Sequence, residues 1–284
     1  MENKTLTYVA IGLAVLALAV GFFSQRSQQA ADNSNLEEVL SSGMMRVGYV
    51  PYAPYIIKDP NTGELSGIFY DITNQLATQL GLKVEWVEGA GYGTIFSDLD
   101  SNRYDVYGGG IWSNSTRAKA GFFTDAAFYN AVYAYARPND HRFDNNLAAI
   151  NDPSVKVSIM DGEIGQFITQ TDYPKAQTVS LPNASPFDQI ALQVVSNKAD
   201  IAFLQADAVA GFLKANPNTL RRVSDQPVRL YGNTYAVKLG DSKLQNMLNV
   251  ALQEAINSGA IAPVLTKYQS APDAYLLPAA PYTK

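Results

Sequence analysis

The sequence predicts an α/β protein built as two lobes. Strand-like and helix-like hydrophobic periods alternate in the order strand, helix, strand, helix, strand, as in a parallel sheet with helices packed on its faces. A long run of alternating aromatic residues, Phe128–Arg137, closed by Pro138-Asn139-Asp140, interrupts that alternation, which then begins again. The chain has 284 residues, 47% of them hydrophobic, which is enough for two lobes of ordinary domain size and too apolar for a disordered chain.

Taken in order, Thr5–Phe23 is an uncharged apolar run long enough to cross a bilayer as a helix, preceded by Lys4 and followed by Arg26 and a polar stretch to Asn35. Residues 1–35 therefore read as a membrane anchor plus linker, or as a signal peptide cut near Ala17-Leu18-Ala19 or Ala31; the length of the run favours the anchor. Either way the globular part lies outside the cytoplasmic membrane. A short helix is expected over Leu36–Ser42, ending at Gly43, then a strand over Met45–Val50 and a Pro-rich loop, Pro51–Tyr55. A turn at Asp59–Gly63 joins two short extended pieces. Phe69, Ile72, Leu76, Ala77 and Leu80 repeat at helical spacing up to Gly81, and Leu82–Val87 is the second strand. Gly91-Tyr92-Gly93 leads into a helix through Ile95, Phe96 and Leu99. The oxygens of Asp98–Asn102 are spaced somewhat like a calcium loop, but Arg103 stands where such a loop needs glycine and Gly109 where it needs glutamate. No metal or other cofactor is expected.

The stretch Tyr104–Tyr129 organises the rest. A buried strand at Val106 and Tyr107 is expected to dissolve into Gly108, Gly109 and Gly110, pass Trp112 and a polar turn, and place Arg117 in a short helical segment. Glycines let a ligand approach backbone N–H groups, and a guanidinium offers a fork of donors to a carboxylate. This is the pattern of an anion-recognition site, although a lone arginine after a polar turn is also an ordinary surface residue.

Beyond Asp140 the α/β logic repeats. Strands are expected over Val155–Met160, Ala176–Leu181 and Ile201–Leu204, and helices over Ile164–Thr171, Ser185–Ser196 and from Gln205 to Lys214. The chain returns through Val228–Val237 to an amphipathic helix marked by Leu244, Met247, Leu248, Ala251, Leu252, Ala255 and Ile256 and ended by Gly259. A last helix covers Ile261–Tyr268, and the Pro/Ala-rich tail from Gln269 reads as loop.

Composition narrows the function. With no cysteine and a single histidine, His141, the chain lacks the residues for zinc sites, thiol nucleophiles and Ser-His-Asp triads. A net charge of −5 leaves no basic footprint for nucleic acid. His141, between Asp140 and Arg142, reads as an exposed loop residue.

The order of residues from Tyr104 onward resembles the central signature of the bacterial extracellular solute-binding proteins that serve amino-acid-type ABC importers. That signature runs Y-D, a glycine, T, R, then F-(S/T) and an aromatic. Here the matching positions are Tyr104, Asp105, Gly110, Asn114, Arg117, Phe123 and Thr124, with Phe128 and Tyr129 one residue late. Gly67 and Asp71 match a second family segment, and the resemblance extends from about Met45 to Tyr268. It implies a type II periplasmic-binding-protein fold with two hinge crossings, near residues 130–138 and 230–238, each lobe carrying its own sheet. The implied division is 36–130 for the first part of lobe 1, 131–237 for lobe 2, and 238–284 for the rest of lobe 1 and the tail. The implied function is non-enzymatic capture of a small carboxylate-bearing or amino-acid-like solute, delivered to an ABC permease by a monomeric receptor outside the cytoplasmic membrane.

The same resemblance assigns the site. Arg117 takes the ligand carboxylate beside Gly110, Tyr52 and Tyr55 wall the cleft, and Tyr92 stands where the family has a ligand-stacking aromatic. Trp112 replaces a small hydroxyl residue and reshapes the pocket. Gln205 stands where the family has an aspartate for the α-amino group, and a neutral amide supplies no counter-charge. Glu163 is the acid best placed to compensate, the alternative being a helix N-terminal charge; Asp161 and Asp207 read as caps or surface residues. Two further readings remain. Relatives on this scaffold act as cyclohexadienyl dehydratases, for which Glu163 is the one candidate acid, while the acid those enzymes carry after the lobe 2 strand falls near Ala208. Similar lobes also form the outer domains of sensory receptors, so a ligand-sensing subunit is the other alternative.

Overall fold

The computed structural model describes residues 34–89, 91–182 and 185–278, so the apolar run Thr5–Phe23 and its reading as anchor or signal lie outside the described residues. Among those described, no helix is long and apolar enough to cross a membrane.

The chain begins with α1 (Asn35–Ser42), whose N-cap Ser34 accepts from the Leu36 N–H and which ends at Gly43 in the left-handed conformation. β1 (Met44–Tyr49) is central to the first lobe and pairs in parallel with β4 (Lys83–Glu88) and β5 (Val106–Trp112). Between them run the small hairpin β2 (Ile57–Lys58) and β3 (Leu65–Ser66), α2 (Ile68–Gln79) and α3 (Ile95–Asp100). α2 buries Ile68, Phe69, Ile72, Leu76 and Ala77, the face expected from their spacing. Two motif residues prove structural. The buried Asp105 carboxylate pairs with Arg46 and accepts the Arg46 backbone N–H at 2.8 Å, fastening the start of β5 to β1. Asp71 accepts from Lys267 Nζ at 2.8 Å and from the Tyr268 hydroxyl at 3.1 Å, tying α2 to the C-terminal α8 (Ile261–Tyr268).

After β6 (Gly121–Phe123) the chain crosses in β7 (Phe128–Ala136) to the second lobe. There β8 (Lys156–Met160) pairs in parallel with β9 (Gln177–Leu181) and β10 (Ile201–Gln205), with α4 (Ile164–Asp172) and α5 (Asp188–Val195) between them and α6 (Ala206–Ala215) following β10. The chain returns through β11 (Arg221–Arg222) and β12 (Arg229–Lys238) to α7 (Ser242–Asn257), capped by Asp241, and then to α8. α7 and α8 pack back on α2 in the first lobe.

Three expectations are corrected. The two lobes share one ladder, in the order β4-β1-β5-β12-β7-β10-β8-β9, rather than having a sheet each. The crossing strands are long enough to do two things at once: β12 pairs with β7 over Arg229↔Val132 to Asn233↔Phe128, then with β5 over Asn233↔Trp112 to Val237↔Val106. The strand at Val106 does not dissolve at the glycines but continues through them to Trp112. The tail is not all loop, because β13 (Tyr275–Leu276) pairs antiparallel with β7 at Asn130 and Tyr129. Under the junction lies an aromatic cluster in which Phe69 meets Tyr235 at 5.2 Å and Phe128 at 5.6 Å between ring centroids.

Candidate ligand-binding site

Ligand groups in such a fold sit on loops beyond strand ends, where the two lobes face each other. The end of β5 is shaped by Gly110, which has φ +79, and a Cβ there would lie 2.5 Å from the Phe69 ring, so both backbone and space require glycine. Next, the Asn114 side-chain oxygen accepts the backbone N–H groups of Thr116 at 3.1 Å and Arg117 at 2.9 Å. This turn feeds the 3₁₀ segment Arg117–Lys119 and aims the arginine back at the strand, where Nη1 donates to the Trp112 carbonyl at 2.9 Å.

All eight residues named from sequence come together. Tyr52, Tyr55, Tyr92, Gly110, Trp112, Arg117, Glu163 and Gln205 line one cavity of about 230 Å³, joined by Ile111 and Asn233. Tyr52 stacks on Tyr55 with ring centroids 5.7 Å apart, and Tyr92 meets Tyr52 edge-on at 6.4 Å. Tyr52 and Tyr92 are about half exposed, whereas Tyr55 is buried. Trp112 donates its indole N–H to Asn233 Oδ1 at 3.1 Å and packs on Tyr231.

Among the described residues the two charged side chains of the cavity form no ion pair. Among the described residues no carboxylate pairs with Arg117. Burial pulls its pKa below the ordinary value, opposed by the nearby hydroxyls of Tyr107 and Tyr92, and the guanidinium stays charged at any ordinary pH. Glu163 immediately precedes α4, but its side chain makes no capping bond there and, among the described residues, no ion pair. Its carboxylate thus does not cap the helix by a hydrogen bond, although it stands at the N-terminus, where the helix dipole favours a negative charge. Its charge, after burial and the charge of Asp207, contributes to raising the Tyr52 pKa. Burial and the neighbouring Tyr52 push Tyr92 up to about 12. Gln205 is buried at the end of β10, and its side-chain amide makes no hydrogen bond among the described residues.

Beneath the cavity the two crossing strands are bonded by side chains. Asn130 Oδ1, on β7, accepts from the Tyr55 hydroxyl at 2.9 Å and from Asn233 Nδ2 on β12, while Asn130 Nδ2 donates to Asp207 Oδ2 at 3.4 Å. Tyr275 of β13 donates to the same Asp207 oxygen at 3.2 Å. Asp207 does not line the cavity; burial raises its pKa, with these hydrogen bonds opposing. Asp161 bonds to Ser180 and is also outside the cavity. His141 is exposed and bonds to Asp144. Sequence reasoning missed Asn130 and Asn233; Asn130 stands out as an amide in the otherwise apolar β7, but nothing in either strand signals that the two meet.

Comparison with known proteins agrees with this architecture. The family model for bacterial extracellular solute-binding proteins, family 3, matches residues 45–271. The L-cystine-binding protein TcyA of Bacillus subtilis (strain 168) is 21% identical over 92% of this chain and 94% of its own. The membrane-bound lytic murein transglycosylase F of Salmonella paratyphi B is 22% identical over 94% of this chain, which spans only 52% of that enzyme's length. Among solved structures, the ancestral amino acid-binding protein AncCDT-1, a precursor of cyclohexadienyl dehydratase, superposes with a TM-score of 0.61 at 25% identity, covering 83% of this chain and 99% of the other.

Proposed function

Because the chain belongs to the bacterial extracellular solute-binding proteins of family 3, we propose that it is the extracytoplasmic receptor of an ABC importer, capturing a small carboxylate-bearing, amino-acid-like solute by closure of its lobes. The observation that carries this reading is Arg117: a half-buried guanidinium without a carboxylate partner among the described residues, at the edge of an aromatic-walled cavity. A ligand carboxylate supplies the missing charge through a charge-assisted, bidentate contact. Strand crossings within β7 and β12 divide the lobes, and rotation about them closes the cleft.

Gln205 bears on what the ligand carries. An ammonium held there loses its counter-charge in a poorly solvated cleft, which is costly. The cation of the solute instead faces Glu163 and the rings of Tyr52, Tyr92 and Trp112, where cation–π contact contributes about 0.5–2 kcal/mol. Catalysis is the weaker reading, since Ala208 occupies the position near which related dehydratases carry an acid and Glu163 is left alone.

A thermal-shift screen against amino acids, polyamines, carboxylates and betaines tests the reading, because a bound solute stabilises the folded receptor by mass action. Carboxylate-bearing solutes are expected to raise the Tm, and Arg117→Ala to cost about 2–5 kcal/mol of binding. A loss below about tenfold, roughly 1.4 kcal/mol, or stabilisation by polyamines alone, refutes it.

A further inference from the structure

A second chamber of about 570 Å³ adjoins the cavity of about 230 Å³, and the two share Trp112, Arg117 and Glu163. The shared residues mark where the two meet, here called the neck. Arg117 belongs to the loop after β5 on one lobe and Glu163 to the turn before α4 on the other, so the neck places a cation and an anion on opposing walls. Neither is paired among the described residues. On the inner side lie Tyr52 and Tyr92; on the outer side lie Phe167 of α4, 55% exposed, and Tyr231, whose ring packs 5.0 Å from that of Trp112. Small-ligand sites commonly measure roughly 300–1,000 Å³, a range that the inner chamber alone falls short of and the outer chamber brings within reach.

We infer that the solute is a dipeptide, an inference that rests on the binding reading above and deepens it. An extended two-residue backbone carries an ammonium at one end and a carboxylate at the other, and its two side chains point to opposite faces. Laid across the neck from Glu163 to Arg117, it puts one side chain among the tyrosines of the inner chamber and the other against Phe167 and Tyr231 in the outer one. A single amino acid with a short side chain reaches only one of the two. The arrangement also accounts for Gln205, because the ammonium is received by Glu163 at the neck and needs no acid at the end of β10.

Calorimetric titration of the protein with L-alanyl-L-phenylalanine, L-phenylalanyl-L-alanine, L-alanine and L-phenylalanine tests the inference. The dipeptides are expected to bind at least tenfold more tightly than either amino acid, and N-acetylation of the dipeptide to remove that advantage. Phe167→Ala, at an exposed position that does not support the core, should shrink the ratio of dipeptide to amino-acid affinity at least fivefold. Equal or tighter binding of the single amino acids, or a ratio untouched by Phe167→Ala, overturns the dipeptide assignment. If the amino acids bind and Arg117→Ala abolishes that binding, the carboxylate reading stands without it; if none of the four probes binds, the dipeptide assignment falls and the wider thermal-shift screen decides the carboxylate reading.

Discussion

Asn130→Leu is the sharpest probe of the junction between the lobes. The substitution keeps the side chain's approximate size at a fully buried position and removes the oxygen that accepts from both the Tyr55 hydroxyl and Asn233 Nδ2. The Tyr55 hydroxyl and the Asn233 amide, both buried although they border the cavity, are then each left without their protein acceptor. Leaving a buried donor unsatisfied costs about 1–3 kcal/mol, so the two together predict a loss of about 4 kcal/mol. The third bond, at 3.4 Å to Asp207, is long and adds little. For a chain of this size about 4 kcal/mol corresponds to a fall in Tm of roughly 8–16 °C, readable by calorimetry or circular dichroism. A double-mutant cycle isolates the cause. In the wild type, Tyr55→Phe removes a satisfied hydroxyl and should destabilise; in the Asn130→Leu background it removes an orphan and should be neutral or stabilising. If Asn130→Leu costs less than about 1 kcal/mol, or Tyr55→Phe costs the same in both backgrounds, the amide is not the polar keystone argued for it.

Three further outcomes are expected. Gly110→Ala should destabilise by about 2–4 kcal/mol in chemical denaturation, since it combines a left-handed backbone with a contact 2.5 Å from Phe69; a change within experimental error would show that β5 yields there. Burial raises the folded-state pKa of Asp207, so the folded protein holds that proton more firmly than the unfolded chain and loses stability as pH rises from the ordinary carboxylate range through the raised value. Asp207→Asn should therefore raise the Tm at pH 7, with the gain shrinking as pH is lowered through that window, and a pH-independent difference would count against burial as the cause. Gln205→Asp should improve binding of common α-amino acids measured by titration, by restoring an acid at the end of β10; unchanged or weaker binding would place the ligand's ammonium elsewhere even in the variant.

That eight named residues line one cavity was legible through the family resemblance, and their role in binding stands as a proposal; one stretch is also local in its chemistry. The order glycine, aromatic, polar turn, arginine in Gly110, Trp112, Asn114 and Arg117 specifies a strand end, a wall, a side-chain-stabilised turn and a cation within eight residues of chain. Helices such as α2 and α7 were equally readable from the spacing of their buried faces. What escaped depends on partners distant in sequence. The glycines Gly108–Gly110 look like a break in propensity, yet β12 supplies antiparallel partners beyond them at Ile111 and Trp112 and holds the strand together. The pairing of β7 with β12 joins residues about a hundred positions apart, and no pattern within either strand announces that they meet. The same holds for Asn130 and Asn233, each an ordinary amide until the other arrives.

The short strand β13 has a consequence for how the protein behaves in crowded solution. Val132 already pairs with Arg229 on one side and Gln205 on the other, but at Tyr129 and Asn130 the strand paired on the side opposite β12, among the described residues, is Tyr275–Leu276. Without that cover the middle of the molecule would present bare N–H and C=O groups on a strand of aromatic and apolar residues, a template on which a second chain could add itself. A protein shortened ahead of Ala274 is therefore expected to lose colloidal stability, and with it the Tyr275 hydrogen bond to Asp207 beneath the cavity.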